Sequence, residues 1–406
     1  MTTMIYNLPR DLIEEIISRV PLRSMKAVRL TCKTWNNLSK SEGFTKMHIG
    51  KVTTPTRDGE TMMIMMMPHK LCLMSGVVDF DPSIEVKGQL FIHNQVSISN
   101  IFHFEGLLLC ILKDDVTRVL VWNPYWGHTR WINLRYSQPP NGFDRFSYAL
   151  GYEDKESCRS FKFLRFLDYF YNAPETQFFW YEIYDFDSGL WTTLDVTPHW
   201  GVHCSSSGVS IKGNTYWCAK ERSSQGHKDH IICFDFTRER FGPLLPLPCS
   251  AVDVTLSCVK EEKLAALFQR LVSELEIWIT TKIEAEMVSW SKLFRIDTRP
   301  KIKKPHSFFV DEEKKVFMGF GRNLDPDSNC LKTFINIVGE DGYLEKLNLV
   351  DGNCKQYVIS YIPSLVQIKE GSRCKKRKQS GLEKRRFEQN MLRLASIEKF
   401  VYEQYI

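Results

Sequence analysis

The sequence predicts an α+β multidomain protein: a small all-α module at the N-terminus, an all-β propeller of six blades, and a basic helical C-terminal tail. Three observations carry this reading. Apolar residues follow helical spacing near the start, short β-branched and aromatic runs fill the middle of the chain, and a basic stretch followed by a second helical pattern closes it. The expected boundaries are residues 1–49, 50–368 and 369–406.

The N-terminal module follows from periodicity. Leu12, Ile13, Ile16, Ile17 and Val20 recur at the offsets of one helix face, which predicts an amphipathic helix over residues 10–20. Asp11, Glu14 and Glu15 lie in its early turns, where the helix dipole favours carboxylates, and Pro21 ends it. A second apolar set follows at Met25, Val28, Leu30 and Trp35, with Ser24 as its candidate N-cap. So few helical residues cannot enclose a sizeable core, so part of their apolar surface is expected to rest on a partner or on the rest of the chain.

The middle of the chain repeats. Tyr148–Tyr152, Phe161–Phe166, Trp180–Phe186 and Leu190–Thr192 form one set of four strand-like runs, and similar sets follow. The bulky residues opening each fourth strand are Trp131, Trp191, Phe241, Trp290 and Leu344, at steps of 60, 50, 49 and 54 residues. A period of about 50 residues is nearer the kelch spacing than the shorter WD repeat. Five units are visible. Runs at Met62–Met67, Leu71–Leu73 and Val77–Val78, joined by Tyr357–Ile362 from the far end, complete a sixth and close the ring. Five and seven blades stay open at this point, and a β-sandwich is the structural rival.

Composition narrows the function. The 406 residues are 43% apolar and 13% aromatic, enough for a globular core with a small second module. No apolar run reaches the length of a membrane span, and the start Met1-Thr2-Thr3 lacks the features of a signal peptide, so a nuclear and cytoplasmic protein is expected. Twelve cysteines without a C-x-x-C pair read as reduced thiols. Residues 369–406 hold eleven lysines and arginines against five glutamates, which accounts for the whole net charge of +6. The balanced body argues against a broad nucleic-acid-binding face.

No nucleophile elbow, Walker loop, zincin helix or dinucleotide fingerprint occurs, so neither enzyme chemistry nor a cofactor is expected. His199, His203 and Cys204, or His227, His230 and Cys233, lack the paired spacing of a zinc site and are read as ordinary loop and strand residues. Asp185 and Asp235 occupy matching places in the repeat and are expected to satisfy turn amides.

Two stretches resemble known families. Leu8-Pro9, Asp11-Leu12-Ile13, Ile16, Arg19-Val20-Pro21, Ser24, Val28-Arg29, Cys32-Lys33, Trp35-Asn36 and Leu38 stand in the order and spacing of an F-box. Val121-Trp122-Asn123-Pro124, Ala149-Leu150-Gly151-Tyr152, Tyr184-Asp185-Phe186, Gly213–Trp217, Phe234-Asp235 and Ser364-Leu365 resemble the F-box-associated, kelch-like interaction domain that follows the F-box in many plant proteins. The resemblance covers residues 1–368; the Met-rich run at Met62–Met67 and the tail depart from the pattern. It implies the substrate-recognition subunit of a Skp-cullin-F-box ubiquitin ligase, which binds a Skp-family adaptor and, through it, cullin and RING subunits, and holds an unidentified protein substrate. The rival is an adaptor-bound scaffold or nuclear nucleic-acid-associated factor without ubiquitin output.

By that resemblance Leu8, Pro9, Leu12, Ile13, Ile16, Val20 and Pro21 are the adaptor-contact or helix-packing positions. Substrate is expected on the face carrying the long second-to-third-strand and blade-to-blade segments, with Tyr136, Tyr169, Tyr171, Trp200, His203, Arg222 and Lys304 as contacts. Lys375, Lys376, Arg377 and Lys378 form a nuclear-import candidate whose rival is a solvated linker. Phe387, Met391, Leu394, Ile397 and Val401 predict an amphipathic terminal helix, which could dock on the propeller or serve association.

Overall fold

The computed structural model describes residues 8–20, 24–39, 41, 43–45, 47–48, 60–67, 70–77, 83–90, 96–136, 146–155, 158–169, 177–202, 208–222, 229–249, 254–271, 274–297, 305–324, 331–339, 344–348, 357–364, 366 and 379–404. No described helix is long and apolar enough to cross a membrane. The chain divides into two compact units, one of Met1–Pro140, Asp311–Gly339 and Tyr343–Ile368, the other of Asn141–Val310, Glu340–Gly342 and Lys369–Ile406.

The described N-terminal residues form the short helices α1 (Arg10–Ser18), α2 (Met25–Thr31) and α3 (Lys33–Leu38), with further helical residues at 43–45 and 47–48. The Pro9 carbonyl starts α1 by accepting from the amides of Leu12 and Ile13. Ser24 precedes α2 but makes no side-chain capping bond; the cap of this region is Cys32, whose Sγ accepts from the Trp35 amide at the start of α3. Ile17, Met25, Leu38 and Phe44 form a small core, with Ile13, Val20, Val28, Trp35 and Met47 packed against it.

The strands follow in sheets. First come β1 (Glu60–Met67), β2 (Lys70–Val77) and β3 (Ser83–Leu90), then β4 (Ile98–Phe104), β5 (Leu107–Leu112), β6 (Arg118–Asn123) and β7 (His128–Asn133). The next sheet holds β8 (Ser147–Lys155), β9 (Cys158–Tyr169), β10 (Phe178–Asp185) and β11 (Leu190–Leu194). In the third full repeat, β12 (Trp200–Val202) and β13 (Val209–Ile211) both pair with β14 (Asn214–Glu221), while β16 (Arg240–Phe241) and β17 (Leu245–Pro246) both pair with β15 (Asp229–Asp235). Its first and fourth strands are therefore each broken in two, the fourth at Gly242 and Pro243, where proline has no amide to give the ladder. β18 (Val254–Val259), β19 (Lys263–Leu271), β20 (Glu274–Glu284) and β21 (Met287–Asp297) form another sheet, and β22 (Ser307–Asp311), β23 (Val316–Leu324), β24 (Leu331–Gly339) and β25 (Leu344–Asn348) the next.

The last strand, β26 (Tyr357–Ser360), returns to pair antiparallel with β1, from Met63 opposite Ser360 to Met66 opposite Tyr357. That supplies the missing strand of the split blade, and the protein is a six-bladed β-propeller with an N-terminal helical module and a C-terminal helix, α4 (Gly381–Gln404). Trp131, Trp191, Phe241, Trp290 and Leu344 all fall on fourth strands, as the period predicted. The Met-rich run is β1, and Met63, Ile64, Met65 and Met66 are buried on both of its faces, while β26 and β2 pair with its two edges.

Turn chemistry explains the local register. Glu105 (φ 45°) and Gly106 (φ 75°) link β4 to β5, and Lys212 (φ 49°) with Gly213 (φ 86°) links β13 to β14; both are two-residue turns with two left-handed residues. Asp185 accepts from the Ser188 amide, and Asp235 accepts from the amides of Thr237 and Arg238, so both matched aspartates satisfy turn amides. Several segments read as long loops are partly strand: Asp168 and Tyr169 end β9, Trp200–Val202 is β12, and Lys220, Glu221, Asp229 and His230 belong to β14 and β15.

Candidate adaptor face and recognition loops

The apolar stripe of α1 is split by packing. At about 100° per residue, Ile13, Ile17 and Val20 cluster on one side of the helix, and Leu12 and Ile16 on the other edge of the same broad stripe. The first set faces the small core, whereas Leu12 is 51% and Ile16 48% exposed. Leu30 on α2 is 78% exposed, so it does not join the apolar face predicted for that helix. Pro9 is exposed and Leu8 half-buried; Pro21 lies outside the described residues. The expected adaptor positions thus separate into outward side chains, Leu12 and Ile16, and inward packing side chains, Ile13 and Val20.

The opposite side of this module rests on the turn between β6 and β7. Arg29 of α2 is buried and donates from Nη1 to the Tyr125 carbonyl at 2.6 Å. Its guanidinium lies 5.1 Å from the Tyr125 ring centroid and 4.6 Å from that of Trp126. His48 bridges the same place. Its Nε2 donates to the Val20 carbonyl at 2.8 Å, which leaves Nδ1 to accept from the Tyr125 hydroxyl at 3.1 Å. Burial pushes the Tyr125 phenol up to about 12, so it keeps its proton at any physiological pH.

On the propeller, the structure reassigns two of the expected contact residues. Trp200 is 3% exposed, with its ring 4.6 Å from Phe241 and 6.3 Å from Tyr181, because pairing of β12 with β14 turns it into a core filled from both neighbouring repeats. Arg222 is engaged by the fold: Nε donates to the Trp200 carbonyl at 2.5 Å, and Nη2 donates to both carboxylate oxygens of Asp168, at 2.5 and 2.6 Å. Burial raises the Asp168 carboxyl despite the arginine, and burial beside Asp168 holds the Tyr181 phenol well above its usual range. No sequence pattern links Asp168, Tyr181, Trp200 and Arg222; the packing of two adjacent sheets brings them together.

The other expected contacts are less constrained by what is described. Tyr136, after β7, is half-buried, and Tyr169 is the last residue of β9; Tyr171, His203 and Lys304 lie outside the described residues. Among the described residues no group of three or more His, Cys, Asp or Glu is placed to hold a metal. Cys32, Cys110, Cys233 and Cys258 are free thiols, and burial pushes Cys110 and Cys233 up to about 12.

The terminal helix docks within its own unit. Phe387 meets Trp180 edge-on at 5.6 Å, Leu394 and Ile397 are buried, and the Gln379 side chain donates to the Trp191 carbonyl on β11 at 2.5 Å. Lys375, Lys376, Arg377 and Lys378, and the side chain of Val401, lie outside the described residues.

Comparison with known proteins agrees with this arrangement. Residues 5–47 match the F-box domain family and residues 62–368 the F-box associated beta propeller domain family. Two Arabidopsis thaliana relatives named F-box proteins, At5g41490 and At2g38590, are 63% and 58% identical, over 91% and 98% of this chain and 97% and 99% of their own lengths. An F-box/kelch-repeat protein of the same plant, At4g33290, is 57% identical over 95% of each chain. The chain belongs to the F-box proteins that carry an F-box associated β-propeller domain.

Proposed function

We propose that this protein is the substrate-recognition subunit of a Skp-cullin-F-box ubiquitin ligase. F-box domains bind Skp-type adaptors. The observation that carries the reading here is the exposure of Leu12 and Ile16 on an F-box helix whose Ile13 and Ile17 are packed into the small core with Met25, Leu38 and Phe44. The propeller then holds a protein substrate, and the protein itself is not a catalyst; acceleration comes from holding substrate lysines near a ubiquitin-charged enzyme. The substrate surface is proposed on the loops rooted at Tyr169, Arg222 and Val202.

Burying a Leu or Ile side chain contributes about 1.5 to 3 kcal/mol, so losing two weakens capture at least tenfold. Changing Leu12→Asp with Ile16→Asp is expected to abolish pull-down of the Skp adaptor while leaving the circular dichroism of the chain unchanged. Undiminished pull-down by the folded variant sinks the adaptor reading. Retention of the adaptor without cullin or ubiquitinated partners favours the scaffold reading, which the basic tail supports.

A further inference from the structure

Asn123 connects two parts of the first unit that are far apart in sequence. Its Oδ1 accepts from the amides of Tyr125 and Trp126, at 2.9 and 3.4 Å, while its Nδ2 donates to the carbonyls of Ser364 and Val366, at 3.2 and 2.7 Å. The turn is closed by the Gly127 amide donating to the Asn123 carbonyl at 2.8 Å, with Gly127 left-handed at φ 69°. Ser364 also donates to the Glu105 carbonyl in the β4–β5 turn. One asparagine therefore shapes the turn and anchors it to the segment that follows β26. Because the Tyr125 and Trp126 amides are satisfied from inside the turn, the Tyr125 carbonyl is left pointing at Arg29.

We propose that the Asn123–Gly127 turn is the socket on which the F-box is mounted, and that Arg29 is the positioning residue that locks it there, so that the F-box and the blades of this unit move as one body. The adaptor would then be held at a fixed distance from the propeller. This consequence rests on the adaptor reading, although the mount itself does not. Relative motion is the ordinary condition of two modules joined by a small interface. Here the interface has directional elements that packing alone lacks: a buried charge-assisted hydrogen bond to a main-chain carbonyl, a guanidinium over two rings, and a histidine that joins Val20 of the F-box to the Tyr125 hydroxyl. The inward face carries these contacts while Leu12 and Ile16 stay exposed, so one small module serves two neighbours.

The test uses the full chain bound to its Skp adaptor, with spin labels on non-natural amino acids at Thr34 in α3 and Asp114 between β5 and β6, both exposed. The unaltered protein is expected to give one narrow distance distribution. Arg29→Met is expected to broaden it about twofold as the modules move independently, with adaptor capture unchanged. Trp126→Leu leaves the F-box sequence intact and is expected to broaden it as well, which keeps the test decisive if Arg29→Met loses helix content. A broad distribution in the unaltered protein, or a width unchanged by both substitutions, overturns the mount. Loss of adaptor capture in Leu12→Asp with Ile16→Asp is read separately, so failure of the adaptor reading and failure of the mount do not resemble each other.

Discussion

Glu383 in the terminal helix accepts two hydrogen bonds from Thr193 on β11, from the amide at 2.8 Å and from the hydroxyl at 2.6 Å. Two residues back along the same strand, the Trp191 carbonyl accepts from Gln379. Residues i and i+2 of a strand present their main-chain groups to the same side, so Gln379 and Glu383 occupy the open edge of β11 as a further strand would. The tail is an edge cover, which is the docking alternative raised by its periodicity.

Removing residues 369–406 is therefore expected to expose both this edge and the apolar patch at Trp180. Glu383→Ala alone removes a partly charged pair of bonds and is expected to cost about 1.5 to 3 kcal/mol. The truncated protein is expected to self-associate in light scattering, and Glu383→Ala to lower the denaturant midpoint. A monomeric truncation of unchanged stability contradicts the edge-cover role.

Arg165 and Glu182 pair across β9 and β10 at 3.5 Å with both side chains essentially buried, and the Arg165 guanidinium lies 3.7 Å from the Phe146 ring centroid. Removing one partner leaves a buried charge, which typically costs about 3 to 5 kcal/mol, whereas replacing both with apolar groups is often nearly neutral. Arg165→Met is expected to lower stability strongly, and Arg165→Met with Glu182→Leu to recover most of the loss in urea unfolding. A double variant as unstable as the sum of the singles contradicts this coupling.

His103 accepts from the Gly106 amide through Nε2 at 2.9 Å and also bonds to the main chain of Ile362, so it is neutral in the fold; burial pulls it down to about 4. The unfolded chain takes up a proton near pH 6.5 and the folded one only near 4, so stability is full above about 6.5 and falls as the pH drops through that window. His103→Gln is expected to show a shallower fall of Tm between pH 6.5 and 4 than the unaltered protein. Parallel Tm profiles contradict the assignment.

The basic clusters in the tail remain a proposal about location. Changing Lys375, Lys376, Arg377 and Lys378 to Ala removes four of the tail's eleven basic residues and is expected to move a tagged protein from the nucleus toward the cytoplasm. An unchanged distribution by microscopy favours a solvated linker.

The local parts of this fold are legible in the sequence because they depend on near neighbours. The strand runs and the aspartates that satisfy turn amides each follow from residue types a few positions apart, whereas the turn read at Gly213-Asn214 falls one residue earlier, at Lys212-Gly213. The resemblance located the F-box for the same reason, since its landmarks lie within about forty residues. What periodicity could not separate was the two edges of the α1 stripe, because Leu12 and Ile13 are equally apolar and only the position of Phe44, Leu38 and Met25 decides which one is covered.

The sequence by itself determined the architecture, from repeat period and helical spacing, and the family, from ordered motifs. Only the tertiary structure decided which polar and aromatic residues are free to act. Trp200 and Arg222 looked like loop contacts, yet the packing of adjacent sheets buries the first and sets the second against Asp168, while Arg29, one basic residue among many, becomes the link from the F-box to Tyr125. The physical reason is distance along the chain. Asp168 and Arg222, or Arg29 and Tyr125, are separated by 54 and 96 residues, and no local propensity encodes a hydrogen bond that exists only once distant strands and helices have paired.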